Sequence, residues 1–355
     1  ESAGAVVRPM RVDSSSPYEI RFYELYLRGK AAQQTRSGDS LRAAREFFLE
    51  AVRLDNTFAP AHASLAQLHL VARAYLGIGI EETRELAEAS ISRALALDPA
   101  HVEALVVSAA LTADSGDYEA SMRLFDSAIE LQPSHAIAHL WRGEVLHTLG
   151  YLDAGRDSIR TALKLDPLAG STNTVMAKAM AFYPDEEDLL TAVQNAESFN
   201  ARLAPKFLAL YYLRQENLQE FAQALRRYYE VLGIHREATE IVIGAARSEI
   251  DRDSLADQLE PYAIRRNNYF ALELAALGQP SRALEALLRW PRHEGSFIDD
   301  MWLPEFENVR ALPGFTDLVR RMGLDDYWHA HGPPDTCIHG TPKAFCGIAT
   351  AGTGT

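Results

Sequence analysis

The sequence has 355 residues, with 35 Lys and Arg against 49 Asp and Glu, a net charge of −14. That balance excludes a chain that coats nucleic acid with a basic surface, and 47% apolar with 24% charged residues excludes bulk disorder. No run of about 18 apolar residues is present, so no segment reads as a membrane span, and two cysteines cannot build a disulfide-rich scaffold.

The chain opens on Glu1 with no charged-then-apolar leader, which reads as a mature form or an excised fragment. Residues 1–17 include Ser14-Ser15-Ser16-Pro17, lack an apolar period and read as a linker. From 18 to 56 helical spacing sets in, with Gly29, Ala44, Phe48 and Ala51 in register and a turn near Ser37-Gly38-Asp39. A second segment carries nine extra residues, placed in a loop near 73–82 around Gly77 and Gly79. Then a strict period appears: Pro99, Pro133 and Pro167 are 34 residues apart, and Gly116 and Gly150 share that spacing. Thirty-four residues hold two helices of about four turns and two short turns, the glycines ending each first helix in a left-handed turn. Residues 168–201 keep the period and lose its proline. Residues 202–328 are helical by pattern and poorly matched, with helices expected over Phe207–Leu213, Leu218–Leu232, Ala238–Ile250 and Leu255–Ile264. Residues 329–355, with Gly332-Pro333-Pro334, read as an extended tail.

Within each period the small residues recur where paired helices touch: Ala66, Ala109, Gly143 and Ala177, then Ala87 and Ala94, Ser121 and Ala128, Gly155 and Ala162. Ile91, Phe125 and Ile159 fill the large apolar position. Small side chains let helix axes approach to about 8 Å. This pattern resembles the tetratricopeptide repeat. The resemblance implies an all-α superhelix, an α-solenoid of six to eight helix pairs, with regular repeats over 18–201 and degenerate ones over 202–328. It also implies recognition on the concave face of the first helices. Carried onto this chain, that face holds Glu103, Val107, Asp114, Trp141, Glu144, His147, Lys178 and Phe182, Trp141 and Phe182 supplying apolar contact and the polar members orientation. The family's carboxylate clamp of Lys and Asn is absent, since Val106, Ala110, Leu140 and Glu144 stand at those places. An apolar or amphipathic segment therefore fits better than an acidic chaperone tail.

Catalytic signatures are missing: no phosphate loop, dinucleotide glycine triplet, nucleophile elbow or zinc-protease His pair occurs, so the chain reads as no enzyme and needs no cofactor. His135 and His139, or His62 and His69, are too few for a metal site. Residues 55–201 hold 9 basic and 21 acidic side chains, a solvated helical surface or, alternatively, a face for a basic partner. Cys337 and Cys346 stand nine residues apart. That spacing closes a disulfide loop, with free thiols and zinc shared with nearby histidines as alternatives.

A narrower resemblance lies at both ends. Tyr23-Glu24-Leu25-Tyr26-Leu27-Arg28-Gly29-Lys30, Met301-Trp302-Leu303-Pro304, Leu312-Pro313-Gly314-Phe315, Asp326-Tyr327-Trp328 and Pro334-Asp335-Thr336-Cys337 are similar to repeat regions attached to bacterial signalling modules. These modules are ToxR-like winged-helix regulators with one membrane span, and class III adenylate cyclases. The resemblance implies a region that binds a protein, a peptide or a small signal and controls an attached module preceding Glu1, without touching nucleic acid itself. Members often carry a paired cysteine near the end, which Cys337 and Cys346 match. It places the region in the periplasm, where disulfides persist, with the cytoplasm as the alternative. A stand-alone assembly scaffold is the other functional reading, and a homo-oligomer is compatible with both.

Overall fold

The computed structural model describes residues 17–35, 38–76, 80–183, 186–199, 203–262, 270–289, 298–338 and 344–350. Of the linker expected over 1–17 only Pro17 is described, as the first residue of a helix; residues 1–16, 339–343 and 351–355 lie outside that set. Among the described residues the regular elements are all helical, so the chain is all-α. It divides into two compact units, residues 1–113 with 119–138, and residues 114–118 with 139–355.

The first unit is built from α1 (Pro17–Thr35), α2 (Gly38–Leu54), α3 (Ala59–Leu76), α4 (Ile80–Leu97), most of α5 (Val102–Asp114) and α6 (Tyr118–Leu131). In α2 the stripe Leu41, Ala44, Phe48 and Ala51 recurs every three or four residues, and all four are buried. Phe48 joins Leu41, Leu65 and Leu68 in one cluster, and Ala63, Ala94 and Ala104 pack in another. The nine extra residues of the second repeat mostly lengthen its helices: α3 and α4 have 18 residues each, whereas α5 and α6 have 13 and 14. Of the loop expected near 73–82, residues up to Leu76 and from Ile80 are helical, and residues 77–79 lie outside the described set.

The second unit holds α7 (Ala136–Thr148) from His139 onward, α8 (Leu152–Leu165), α9 (Gly170–Ala181), α10 (Glu186–Ser198), α11 (Ala204–Arg214), α12 (Leu218–Leu232) and α13 (Arg236–Ala246). Close approach fixes the α7–α8 pair. A Cβ on Gly143 would stand 2.6 Å from Ile159 Cγ1 and 2.8 Å from the Gly155 carbonyl oxygen, so only glycine fits. Gly150 ends α7 at φ +82°, a left-handed turn of the kind its spacing predicts. Helix α12 spans the expected residues, whereas α13 stops at Ala246, where Ser248 takes φ +59°. The helix expected over 255–264 is shorter: α14 (Leu255–Leu259) lies between 3-10 turns at Arg252–Ser254 and Glu260–Tyr262. Then come α15 (Ala271–Ala276) and α16 (Pro280–Leu288).

The C-terminal portion departs from the repeat plan. Two 3-10 turns, Ile298–Trp302 and Pro304–Phe306, lead into α17 (Glu307–Arg310), α18 (Phe315–Met322) and α19 (Leu324–His331). The extended tail expected over 329–355 is corrected where it is described. Residues 335–338 and 346–350 form short helices α20 (Asp335–Ile338) and α21 (Cys346–Thr350). Phe345 is buried among Trp302, Phe315 and Trp328, with ring centroids 5.1–6.1 Å from its own. An aromatic cluster of that size gives a non-repeat segment its own core.

Candidate functional site

In the first unit the inner helices α1, α3 and α5 converge on one acid. Lys30 Nζ donates to Glu103 Oε1 at 3.0 Å, and the Ser64 hydroxyl lies 3.3 Å from both Glu103 oxygens. Beside them the Gln33 amide donates to Gln67 Oε1 at 2.8 Å. The Tyr26 phenol is pushed up to about 12, first by burial and then by the Glu103 charge. Leu27, one residue on, is 49% exposed. Glu103 therefore lies on a polar stripe, but Val107 is fully buried and belongs to the core. Asp114, in the second unit, is half-buried and adds its charge beside the Tyr118 hydroxyl.

The second unit treats its inner face differently. Trp141 is half-buried, whereas Glu144, His147 and Phe182 are all buried. His147 stands edge-on to the Phe182 ring at 4.9 Å, and burial lowers its pKa to about 3, which keeps it neutral. It is a packed core histidine, placed against Gly155, where a Cβ would come within 2.2 Å of its ring. The expectation that His147 and Phe182 present themselves to a ligand is therefore corrected: both are spent on packing between helices.

Lys178, on α9, bridges Glu144 of α7 at 3.1 Å and Asp299 at 2.8 Å. Burial disfavours its charge, but the two carboxylates outweigh that and hold its pKa above the ordinary value, while burial pushes Asp299 up. Two more pairs follow along α11. Lys206 Nζ meets Asp300 at 2.5 Å, and the Arg214 guanidinium takes Glu305 through both oxygens at 2.7 and 3.0 Å. Residues 299–305 thus lie against α9 and α11 as an acidic strap. Trp302 anchors it, its indole Nε1 donating to the Thr148 carbonyl at the end of α7 at 3.0 Å. Further on, Trp328 Nε1 donates to the Leu149 carbonyl at 2.8 Å, and the Tyr151 hydroxyl donates to the Gly332 carbonyl at 2.6 Å.

Sequence reading selected Lys178 but missed Lys206, Arg214, Asp299, Asp300 and Glu305. The available signal was the Asp299-Asp300 pair beside Trp302 and Glu305, an acidic-aromatic run inside a stretch otherwise read as worn repeats. Cys337 and Cys346 are joined, with Cα atoms 5.6 Å apart. Among the described residues no group of three His, Cys, Asp or Glu is arranged to hold a metal ion, and no helix is long and apolar enough to cross a membrane.

Residues 109–169 match the tetratricopeptide repeat family. No curated protein matches the chain. Among solved structures, PilF of Pseudomonas aeruginosa is 16% identical over 61% of this chain and 94% of its own, at a TM-score of 0.43. PilW, a type IV pilus biogenesis factor, is 16% identical over 60% of this chain and 96% of its own, also at 0.43. Yeast Tom70 is 15% identical over 94% of this chain and 69% of its own, at 0.45.

Proposed function

We propose that this chain is a non-catalytic docking region that binds a segment of a partner protein and thereby holds an attached signalling module in one state. The observation that carries the reading is the inner face of the first unit. There the partly exposed pair of Lys30 and Glu103 lies over the buried Ser64 hydroxyl, with exposed Leu27 three residues before Lys30 on the same helix. A stripe that mixes a charge pair, hydroxyl and amide groups and an apolar edge suits an amphipathic segment. The module is a winged-helix regulator or an adenylate cyclase, as the resemblance of residues 17–346 implies, and the compartment is the periplasm, which suits the Cys337–Cys346 bond.

The test is to introduce Leu27→Asp together with Lys30→Ala into the complete gene product and to read the output of its attached module. Leu27 is largely exposed and the Lys30 side chain is 35% exposed, so the fold survives and the output shifts. Unchanged output from a folded double variant sinks the reading. A gene product with no attached module moves the chain to the scaffold class.

A further inference from the structure

We infer that a hollow within the second unit, walled by α11, α12, α13 and α15, binds a small apolar amine whose ammonium meets the buried carboxyl of Glu273. The hollow shares no residue with the Lys30 and Glu103 pair, so the inference goes beyond the docking reading and stands without it.

The lining is the first argument. The hollow measures about 350 Å³ counted out to its open mouth. Leu210, Leu213, Phe221, Leu225, Val242 and Leu277 form much of its wall. Leu213 is half-buried and the other five are buried, which puts the mouth on the Leu213 side. Only part of the space is enclosed, so the occupant is a short alkyl chain or a single ring, small for a ligand site.

The acid is the second argument. Glu273 lines the same hollow, is 7% exposed, and its Oε2 accepts no hydrogen bond. Lys206 also lines it, but its ammonium is paired with Asp300 at 2.5 Å. A carboxylate in an apolar wall with no cation of its own is costly to hold charged. Burial accordingly pushes Glu273 up to about 7, although the Tyr229 hydroxyl and the Lys206 charge pull it down; Asp300 adds to the rise. An entering ammonium supplies the missing counter-charge, and its apolar body covers leucine and phenylalanine surface.

A single water is the competing occupant. An ordered buried water needs about two to four polar partners. The polar side chains of the wall are Glu273, Lys206 and Tyr228, and Lys206 is already spent on Asp300. A water here is short of partners, whereas an alkylammonium needs one acid and an apolar wall.

Calorimetric titration of the full, oxidised chain with n-pentylamine, 1-pentanol and pentanoate tests the inference. At pH 8 the amine should bind about tenfold or more tighter than the alcohol, and pentanoate should not bind. From pH 6 to pH 8 the ionised fraction of a carboxyl at about 7 rises from about a tenth to about nine tenths. The amine's affinity should therefore rise about tenfold over that interval while the alcohol's stays level. Glu273→Gln keeps the shape and removes the charge, so amine and alcohol should then bind alike at both pH values. Leu213→Trp, at the half-buried edge, should cut the amine's affinity about tenfold or more by filling the mouth. A wild type that takes up no amine at millimolar concentration holds water only, which overturns the inference. Equal binding of amine and alcohol at pH 8, an amine affinity level with pH, or an affinity unmoved by Leu213→Trp overturns it as well. If Glu273→Gln fails to fold, the wild-type pH series and Leu213→Trp decide.

Discussion

The two inner faces solve one problem in different ways. In the first unit the polar groups are satisfied by neighbouring repeat helices: Lys30 of α1, Ser64 of α3 and Glu103 of α5 serve one another. In the second, Lys178, Lys206 and Arg214 draw acids from a segment outside the repeats. A local arrangement follows from the period, because residues one repeat apart are brought side by side. A remote one follows from no period at all. The difference shows that repeat architecture fixes where a face is and leaves open what covers it.

The sharpest way to break this comparison is Trp302→Ala. The indole is almost fully buried and its N–H serves the Thr148 carbonyl, so truncation should cost the second unit about 3–5 kcal/mol. Hydrogen exchange should show lost protection in α7 and α18 with α1–α4 unchanged. Equal losses in both units would mean that the aromatic cluster does not belong to one face.

Acid is the next lever, and it should act mainly on the first unit. Burial pushes His62, His69, His101 and His135 below their ordinary values, His69 to about 4. A folded-state value below the unfolded one means that the folded unit binds fewer protons. The stability is present above about pH 6.5 and lost as pH falls toward the folded value. Between pH 7 and 4.5 His69 alone should remove about 2–3 kcal/mol. In the second unit His147 acts the same way, but burial raises Asp299, and Glu273 to about 7. Those two carboxyls contribute stability at low pH that is lost as pH rises through their folded values, so they oppose the histidine. Exchange at pH 7 and pH 4.5 should show the first unit loosening first; the reverse order would refute the assignment.

Gly143→Leu probes the helix contact on which the second unit's face is built. With Ile159 and the Gly155 carbonyl within 3 Å of a new Cβ, the overpacking should cost about 1–3 kcal/mol in thermal unfolding. An unchanged melting temperature would mean the α7–α8 contact is misplaced. The smallest effect is expected at Lys30→Met, which removes one partly exposed ion pair. It should cost about 0.2–1 kcal/mol, shrinking in high salt. A larger loss would make the first unit's stripe a structural core.

Much of the fold is legible in the sequence because its determinants are short-range. Pro99, Pro133 and Pro167 mark turns, and Gly143, Gly155 and Ala162 mark contacts that lie within one or two helices of each other. The same reasoning selected Glu103 for the concave face, and the structure pairs it with Lys30 and Ser64. It failed at Val107, His147 and Phe182, because a position facing the inside of a repeat array also faces the neighbouring helix, and side-chain size alone does not say which contact wins. The strap was illegible for another reason. Lys206 and Asp300 are 94 residues apart, and Arg214 and Glu305 are 91 apart, so no local pattern couples them.

The two indoles have a consequence for the order in which the chain matures. Helix α7 ends in carbonyls that its own turns leave without partners, and Thr148 and Leu149 receive theirs from Trp302 and Trp328, 154 and 179 residues downstream. During synthesis the ribosome has completed α7 long before either tryptophan emerges. The first unit has its inner-face partners within reach as soon as α5 is made, whereas the second waits for the strap and the aromatic cluster. Contacts of such sequence separation close slowly. A nascent chain halted before Trp302 should therefore carry one finished unit and one with unsealed helix ends, which a protease or a chaperone can tell apart.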